Sequence, residues 1–216
     1  KKKNSSFGPK LVDPDTPVES LVNHPLDYLK NLPTLSNDQI PLPGNIYLHR
    51  ENSRGLNLNI QSQYQPFMEK VTAFKDHQWH GGPIVNGETL TTGQVNQVVS
   101  PQDLSHQVGH VYWADAEGIE QAIATAHNAF PNWSRTSVEM RASALEEFAD
   151  LMEEHRHELI ALCTVEGGKL LQDGIDEVRE AVDFCRYYAQ QARKLYAYEG
   201  PLMGPPGELN ELFFFF

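Results

Sequence analysis

The chain has 216 residues with a hydrophobic content of 40%, enough to bury a core and unlike the composition of a disordered chain. Its 29 acidic residues outnumber its 17 basic ones, and the formal net charge of −12 argues against a broad nucleic-acid or anionic-membrane surface. No apolar run reaches the roughly 18 residues that a membrane span needs, and no apolar segment of a signal peptide follows the basic start. The two cysteines, Cys163 and Cys185, are compatible with a reducing cytoplasm.

Half of the 14 prolines fall in residues 1–45, so we predict a linker or wrapping segment there, with a short helix from Val18 to Val22. Residues 46–82 are predicted to connect this segment to the next domain. They include a helix from Ser62 to Phe74, because apolar residues recur there at helical spacing: Tyr64, Phe67, Val71 and Phe74.

Strands are predicted from Pro83 onwards. Asn86-Gly87 indicates a two-residue hairpin turn, since both residues tolerate positive φ. A second hairpin is predicted to pair residues 94–100 with residues 107–113 across a turn that contains Pro101.

Four amphipathic helices are predicted after the hairpins. Asp115 caps the first, which Pro131 is expected to end, and Ser137 caps the second. The third runs from Glu158 to Glu166 and ends at glycines, and the fourth runs from about Asp173 to Tyr196. The residues predicted to face inward are, in helix order, Ile119, Ala122, Ile123, Ala126 and Phe130; Ala142, Leu145, Phe148, Ala149 and Met152; Leu159, Leu162 and Cys163; and Ile175, Val178, Val182, Cys185, Ala189 and Ala192.

Residues 198–216 combine turn chemistry with a strand-like apolar run from Leu209 to Phe216. This run is predicted to be either the start of a β-flap or a core strand. A first residue other than Met and four terminal phenylalanines favour a segment of a longer protein.

Residues 83–200 resemble the amino-terminal part of the NAD-dependent aldehyde dehydrogenase superfamily. The resemblance rests on the order of these elements and on motifs such as Pro83-Ile84-Val85-Asn86-Gly87-Glu88 and Glu166-Gly167-Gly168-Lys169. Further stretches resemble the proline utilization A family, in which a proline dehydrogenase barrel precedes a semialdehyde dehydrogenase. They are Leu11-Val12-Asp13-Pro14, Asn52-Ser53-Arg54-Gly55, Glu177-Val178-Arg179-Glu180-Ala181-Val182-Asp183-Phe184 and Tyr198-Glu199-Gly200-Pro201-Leu202.

The resemblance implies an α/β fold in which residues 83–197 form part of the NAD-binding domain and residues 1–80 wrap its surface. It implies a cytoplasmic parent enzyme with FAD in one half and NAD in the other. That enzyme would oxidise proline and then oxidise glutamate semialdehyde to glutamate. It also implies a small-molecule substrate, homo-oligomer formation, and the remainder of the parent chain as a partner. The family's catalytic cysteine and glutamate motifs and its glycine-rich nucleotide loop are not recognised here, so no catalytic or cofactor-binding residue is assigned and the chain alone is expected to be inactive.

Several residues could have functional roles, but a simpler structural explanation is favoured for most of them. Cys163 and Cys185 lie on apolar helical stripes, where a small core residue is expected. The pairs His77/His80 and His155/His157 have no matching third ligand, so no metal site is predicted. In the resembled family the last long helix borders the aldehyde entrance, which makes Glu177 the candidate for contacting a substrate ammonium group. Acidic residues near a helix start are also favoured by the helix dipole.

Two other functions stay open. The first is a monofunctional semialdehyde dehydrogenase without a proline-oxidising half, against which the linker-like residues 1–25 argue. The second is a helical interaction module without catalysis. If the chain is a segment, its helices are expected to present apolar faces that a parallel sheet would otherwise cover, and the isolated chain is expected to associate.

Overall fold

The computed structural model describes residues 12–22, 24–34, 37, 39–198 and 200–212. They divide into two compact units, residues 1–41 and residues 42–216. In the described residues of the first unit there are two short helices, α1 (Val18–Val22) and α2 (Pro25–Lys30). The predicted helix at Val18–Val22 is therefore confirmed.

The second unit begins with a 3₁₀ turn at Pro43–Asn45, and its first α-helix is α3 (Gln61–Thr72). This helix lies within two residues of its predicted bounds. Phe67 and Val71 are buried, whereas Tyr64 is partly exposed, because the helix lays only one narrow face on the core.

Five short strands follow: β1 (Trp79–Gly81), β2 (Ile84–Val85), β3 (Glu88–Thr89), β4 (Val95–Val99) and β5 (Gln107–Tyr112). The pair β2–β3 forms the predicted hairpin, in which Asn86 and Gly87 have φ of 53° and 82°. The pair β4–β5 forms the second predicted hairpin, with an irregular register between Val98 and Val99.

Strand β1 was not predicted. It pairs in parallel with β5, giving a three-stranded sheet in the order β1-β5-β4. Gly109 permits this pairing, because a Cβ at that position would lie 1.8 Å from the carbonyl oxygen of Trp79. A three-residue strand beside a glycine-proline turn carries almost no periodic signal, which explains why the sequence pattern did not indicate it.

The helical part consists of α4 (Ala116–Trp133), α5 (Val138–Glu154), α6 (Arg156–Gly167) and α7 (Leu171–Tyr196). Asp115 and Ser137 cap α4 and α5 as predicted, accepting hydrogen bonds from the amides of Gly118 at 2.7 Å and Met140 at 3.2 Å. Gly168 ends α6 in the left-handed conformation, with φ of 65°. The core joins α3, α5, α6 and α7 through Phe67, Val71, Ala149, Ile160, Ala161, Ile175, Val178 and Val182.

Three details of the helix predictions are wrong. Pro131 does not end α4, because it sits in the last turn, where the loss of one amide donor removes little of the hydrogen-bond ladder. Leu145 and Phe148 are exposed rather than inward, since α5 packs through a narrow small-residue face that contains Ala142 and Ala149. The α4 residues Ile119, Ile123 and Phe130 are exposed as well.

The last described segment bends back through one antiparallel bridge between Leu202 and Asn210. The run Phe213–Phe216 lies outside the described residues, so its role in a flap or a core strand stays a prediction. Within the described part of the chain, no helix combines the length and the apolar character that crossing a bilayer requires.

Candidate functional site

The loop of residues 50–55 is anchored to α7 by one carboxylate. Asp183 accepts hydrogen bonds from the amide of Ser53 at 2.9 Å and from its hydroxyl at 2.7 Å, and Arg50 lies 3.5 Å from it. Ser53 is almost fully buried. The extended loop obtains from this carboxylate the hydrogen bonds that it cannot make within itself.

A second carboxylate, Glu153 on α5, holds the next residue of the same loop. It accepts a hydrogen bond from the Arg54 amide at 2.7 Å and lies 3.8 Å from Arg156 and 3.9 Å from Arg186. Arg186 is buried on α7 and donates to Asp150 at 2.7 Å. These pairs were not predicted, but Arg186 lies four residues after Val182 on the buried stripe, and a charge placed there must find a partner.

A groove of ≈ 400 Å³ lies between α6 and α7, and Glu177 lines it. Other residues of the groove are Leu159, Cys163, Glu166, Lys169 and Val178. The Lys169 ammonium donates to the Glu177 carboxylate, and this hydrogen bond raises the pKa of Lys169. Glu177 is thus accessible from solvent and already holds an ammonium group, a contact that a substrate ammonium would have to displace.

The structure places both cysteines at partly buried positions, Cys163 in the groove and Cys185 on α7. Burial raises the pKa of each thiol, and for Cys163 the nearby Glu177 and Glu166 raise the pKa as well, although Lys169 lowers it. A raised thiol pKa lowers the thiolate fraction, which is the reverse of what a nucleophile requires. Their assignment as packing residues remains a prediction.

The ring contacts of the histidines do not follow the pairs that their sequence spacing suggests. His80 contacts His110 of the neighbouring strand, with ring centroids 4.1 Å apart and ring planes tilted by 32°, whereas His77 contacts Trp79 at 4.8 Å. His157 packs against Phe67. Among the described residues, no group of three or more His, Cys, Asp or Glu side chains is placed to hold a metal ion.

The starts of α4 and α5 do not fit the pyrophosphate of a dinucleotide. Such a group binds free backbone amides at a helix start. At α4 the Asp115 carboxylate accepts from the Gly118 amide, which lowers the pKa of Asp115 and keeps a negative charge at the position an anion would need. At α5 the Ser137 hydroxyl accepts a hydrogen bond from the Met140 amide, which is therefore not free for an anion. We therefore assign no NAD-binding role to these residues.

Comparison with known proteins identifies the family of this chain. The model of the aldehyde dehydrogenase family matches residues 89–212, more than half of the chain. The chain belongs to the aldehyde dehydrogenase family. Its mixture of helices and small sheets agrees with this α/β fold, and the fold class predicted from the sequence is confirmed.

Individual relatives are also similar. The bifunctional protein PutA of Escherichia coli is 33% identical over 203 residues, which are 91% of this chain and 15% of that protein. A crystal structure of proline utilization A from Bdellovibrio bacteriovorus superposes with a TM-score of 0.73 at 28% identity, covering 96% of this chain and 21% of that one. A 1-pyrroline-5-carboxylate dehydrogenase from Thermus with bound NAD has a TM-score of 0.63 at 26% identity, covering 73% and 31%.

These matches confirm the resemblance to proline utilization A and to 1-pyrroline-5-carboxylate dehydrogenases. The chain spans about 15% of the length of the PutA relative in the sequence comparison. The roles of the bound cofactor and the reacting residues in those larger proteins are therefore not carried over to this chain's side chains.

Proposed function

We propose that this aldehyde dehydrogenase chain belongs to the half of a bifunctional proline-catabolism enzyme that oxidises L-glutamate 5-semialdehyde to glutamate with NAD. The other half would oxidise proline with FAD. In this proposal the enzyme acts in the cytoplasm, forms a homo-oligomer and takes a small-molecule substrate. The chain supplies scaffold, and the groups that react with the aldehyde lie in the remainder of the enzyme.

The observation that carries the proposal is the extent of the similarity. The PutA relatives match 91% of the chain in sequence and 96% in structure, whereas the Thermus dehydrogenase covers 73%. A bifunctional parent accounts for similarity that includes the proline-rich beginning of the chain. A monofunctional dehydrogenase, the second candidate, accounts for less of it.

The chain's own residues have a positioning role in this proposal. Asp183 and Glu153 hold the loop of residues 50–55 against α5 and α7, and Arg193 links the same two helices by hydrogen bonds to Glu139 and Glu146. This cross-linking joins α5 to α7, and the shared core adds α6 through Ile160 and Ala161, so the three helices form one packed block. Glu177 sits on the accessible edge of that block, and we propose that it exchanges Lys169 for the ammonium group of the substrate.

NAD, when bound, would accept the hydride that leaves the aldehyde-derived carbon. No residue of this chain is assigned a contact to it, and no step of that chemistry is assigned to a side chain of this chain. The proposed contribution is limited to a rigid wall and, through Glu177, to a charge near the substrate.

The test is an assay of NADH formation with glutamate semialdehyde. Two samples are compared: the product of the whole reading frame that contains this sequence, and the purified 216-residue chain. We expect semialdehyde-dependent NADH formation only in the first, with propionaldehyde a poorer substrate. Turnover by the 216-residue chain, or a complete product that forms no NADH from the semialdehyde, would contradict the proposal.

The same product also separates the two dehydrogenase candidates. A bifunctional enzyme should reduce an artificial electron acceptor when proline is added, whereas a monofunctional dehydrogenase should not. For Glu177, the Glu177→Gln variant of the complete enzyme should raise KM for the semialdehyde and leave KM for NAD unchanged. A non-catalytic interaction module would show neither activity.

A further inference from the structure

A pocket on the side of the molecule formed by α3 and the start of α6 is separate from the groove that contains Glu177. It has a volume of ≈ 430 Å³. The loop residue Gly55 lies at one wall, α3 forms another, and the first turn of α6 forms a third. The polar part of its lining consists of Ser62, Gln63, Lys70, Arg156 and His157.

The pocket is electropositive although the chain carries a net charge of −12. Burial lowers the pKa of Arg156, and the positive charges of Arg54 and Arg179 lower it further, against the opposing effect of Glu153. The pKa of His157 is lowered by burial and then by Lys70 and Arg156. Lys70 and Arg156 both act on His157 as positive charges, and such charges produce a local field that favours an anion.

The acidic groups near this pocket lie outside its lining. Glu153 accepts from the Arg54 amide at 2.7 Å and is shared between Arg156 and Arg186. Glu158 accepts from the Trp79 indole at 3.1 Å and, with Glu154, lines the adjoining cavity on the other side of Lys70 and His157. Among the described residues, no Asp or Glu lines the pocket itself, whereas Lys70 and Arg156 do. Outside the pocket, Arg186 pairs with Asp150 at 2.7 Å and Arg179 pairs with Asp176 at 4.0 Å.

Arg179 lies beside the pocket, and one of its buried nitrogen atoms has no hydrogen-bond partner among the described residues. The Nε of Arg179 is buried and makes no hydrogen bond within the described residues. Its guanidinium approaches Gly55, where a Cβ would lie 3.8 Å from Cζ. A buried donor without a partner is rare in native proteins and favours a polar occupant nearby.

We propose that this pocket binds a small oxyanion of the size and charge of inorganic phosphate, held by Lys70, Arg156 and His157. Arginine and lysine form their strongest hydrogen bonds with charged oxygens, and Ser62 and Gln63 supply further polar groups at the wall. The shared chemistry is a phosphoryl dianion, either free or carried as a monoester. The site is independent of the proposed dehydrogenase function, because it shares no lining residue with the groove that contains Glu177.

The test is a titration of the 216-residue chain with inorganic phosphate, followed by NMR of the histidine ring protons, with chloride holding the ionic strength constant. We expect saturable shifts of the His157 resonance, assigned with a His157→Gln variant. We also expect a higher His157 pKa in phosphate, because a bound anion stabilises the imidazolium against Lys70, Arg156 and Phe67. A parallel titration with phenyl phosphate shows whether a monoester also enters.

The matched variants are Lys70→Gln in the pocket and Lys194→Gln at the far end of α7, both exposed lysines. Loss of one charge-assisted hydrogen bond should weaken phosphate binding roughly tenfold in Lys70→Gln and leave it unchanged in Lys194→Gln. Lys70→Arg should retain binding, and circular dichroism confirms that each variant folds. Non-saturable shifts equal to those in chloride, or equal phosphate affinity in Lys70→Gln and the parent chain, would overturn the proposal.

Discussion

Helices α7 and α4 are both amphipathic, but only one of them is covered. Ile175 of α7 is 1% exposed and Val182 is fully buried against the other helices. In α4, Ile119 is 50% and Ile123 is 60% exposed. An apolar stripe at helical spacing therefore predicts that a helix forms, but it does not tell whether the covering element belongs to the same part of the chain.

The difference follows from the partners that each helix meets. Helix α7 contacts α5 and α6 along its length and adds ion pairs through Arg186 and Arg193. Helix α4 contacts the short hairpin strand β2, and none of the described elements covers its isoleucines. This agrees with the expectation from the sequence that some helices present faces suited to a sheet. We therefore expect α7 to contribute most of the stability of this unit and α4 to govern its association.

The largest expected effect is on the covered helix. Replacing Ile175 by Ala removes buried methylenes and leaves a cavity beside Ile160 and Val178, which should lower the free energy of unfolding by about 2–5 kcal/mol. The matched change Ile123→Ala in α4 should alter it by less than about 0.5 kcal/mol. Urea unfolding followed by circular dichroism measures both variants.

The association of the chain should depend on α4 more than on α7, which is the reverse of the order expected for stability. Ile123→Lys should reduce the binding of a hydrophobic dye and the light scattering of the chain, because it breaks an exposed apolar stripe. If Ile123→Ala destabilises the chain as much as Ile175→Ala, then α4 is packed in solution and the comparison of the two helices is wrong.

A smaller effect is expected where the loop of residues 50–55 joins α7. Asp183→Ala leaves the buried Ser53 amide and hydroxyl without their acceptor, so the free energy of unfolding should fall by about 1–3 kcal/mol. Glu180→Ala, on the same helix but at an exposed position, is the control. Amide exchange at Ser53 should accelerate only in Asp183→Ala, and an unchanged rate would show that the loop is held by other contacts.

The sequence predicted local elements better than it predicted the contacts between them. The Asn86-Gly87 turn, the capping residues Asp115 and Ser137, and the Gly168 stop each act within a few residues, and all are confirmed. Whether a helix face is covered depends on residues far away in the chain, which is why the inward orientation predicted for Leu145 and Phe148 of α5 was wrong.

The candidate site illustrates the same limit. Glu177 was chosen from a family resemblance, and its position on an accessible edge is consistent with that choice without testing it. Its contact with Lys169 joins two residues eight positions apart, one before the start of α7 and one within it, and helical spacing alone does not predict it. The anchoring of Ser53 by Asp183 spans 130 residues and has no local signal except a charged residue beside a buried stripe.

A helix cap should have a still smaller effect on α5, which packs on α7. Ser137→Ala removes the acceptor for the Met140 amide and should lower the free energy of unfolding by about 1 kcal/mol. Ser143→Ala, an exposed position within the same helix, should be nearly neutral, because the higher helix propensity of alanine offsets the loss of the 3.3 Å hydrogen bond from the Ser143 hydroxyl to Glu139. Equal effects of the two variants would indicate that the Ser137 cap is not formed in solution.

The smallest effect is a change in pH dependence at the start of α4, the uncovered helix. Asp115 accepts a hydrogen bond from the Gly118 amide and another from the Thr92 side chain, and both lower the pKa of Asp115 in the folded chain. The bond from Gly118 has the larger effect. A lowered folded pKa stabilises the fold at pH values above about 4, the ordinary pKa of aspartate, and this contribution is lost as the pH falls through the folded value.

Asp115→Asn keeps a capping oxygen that does not titrate, so its stability should decline less than that of the parent chain between about pH 5 and pH 3. Parallel urea titrations at each pH measure the two slopes. Identical slopes would mean that the charge of the Asp115 cap contributes nothing to the stability of the fold.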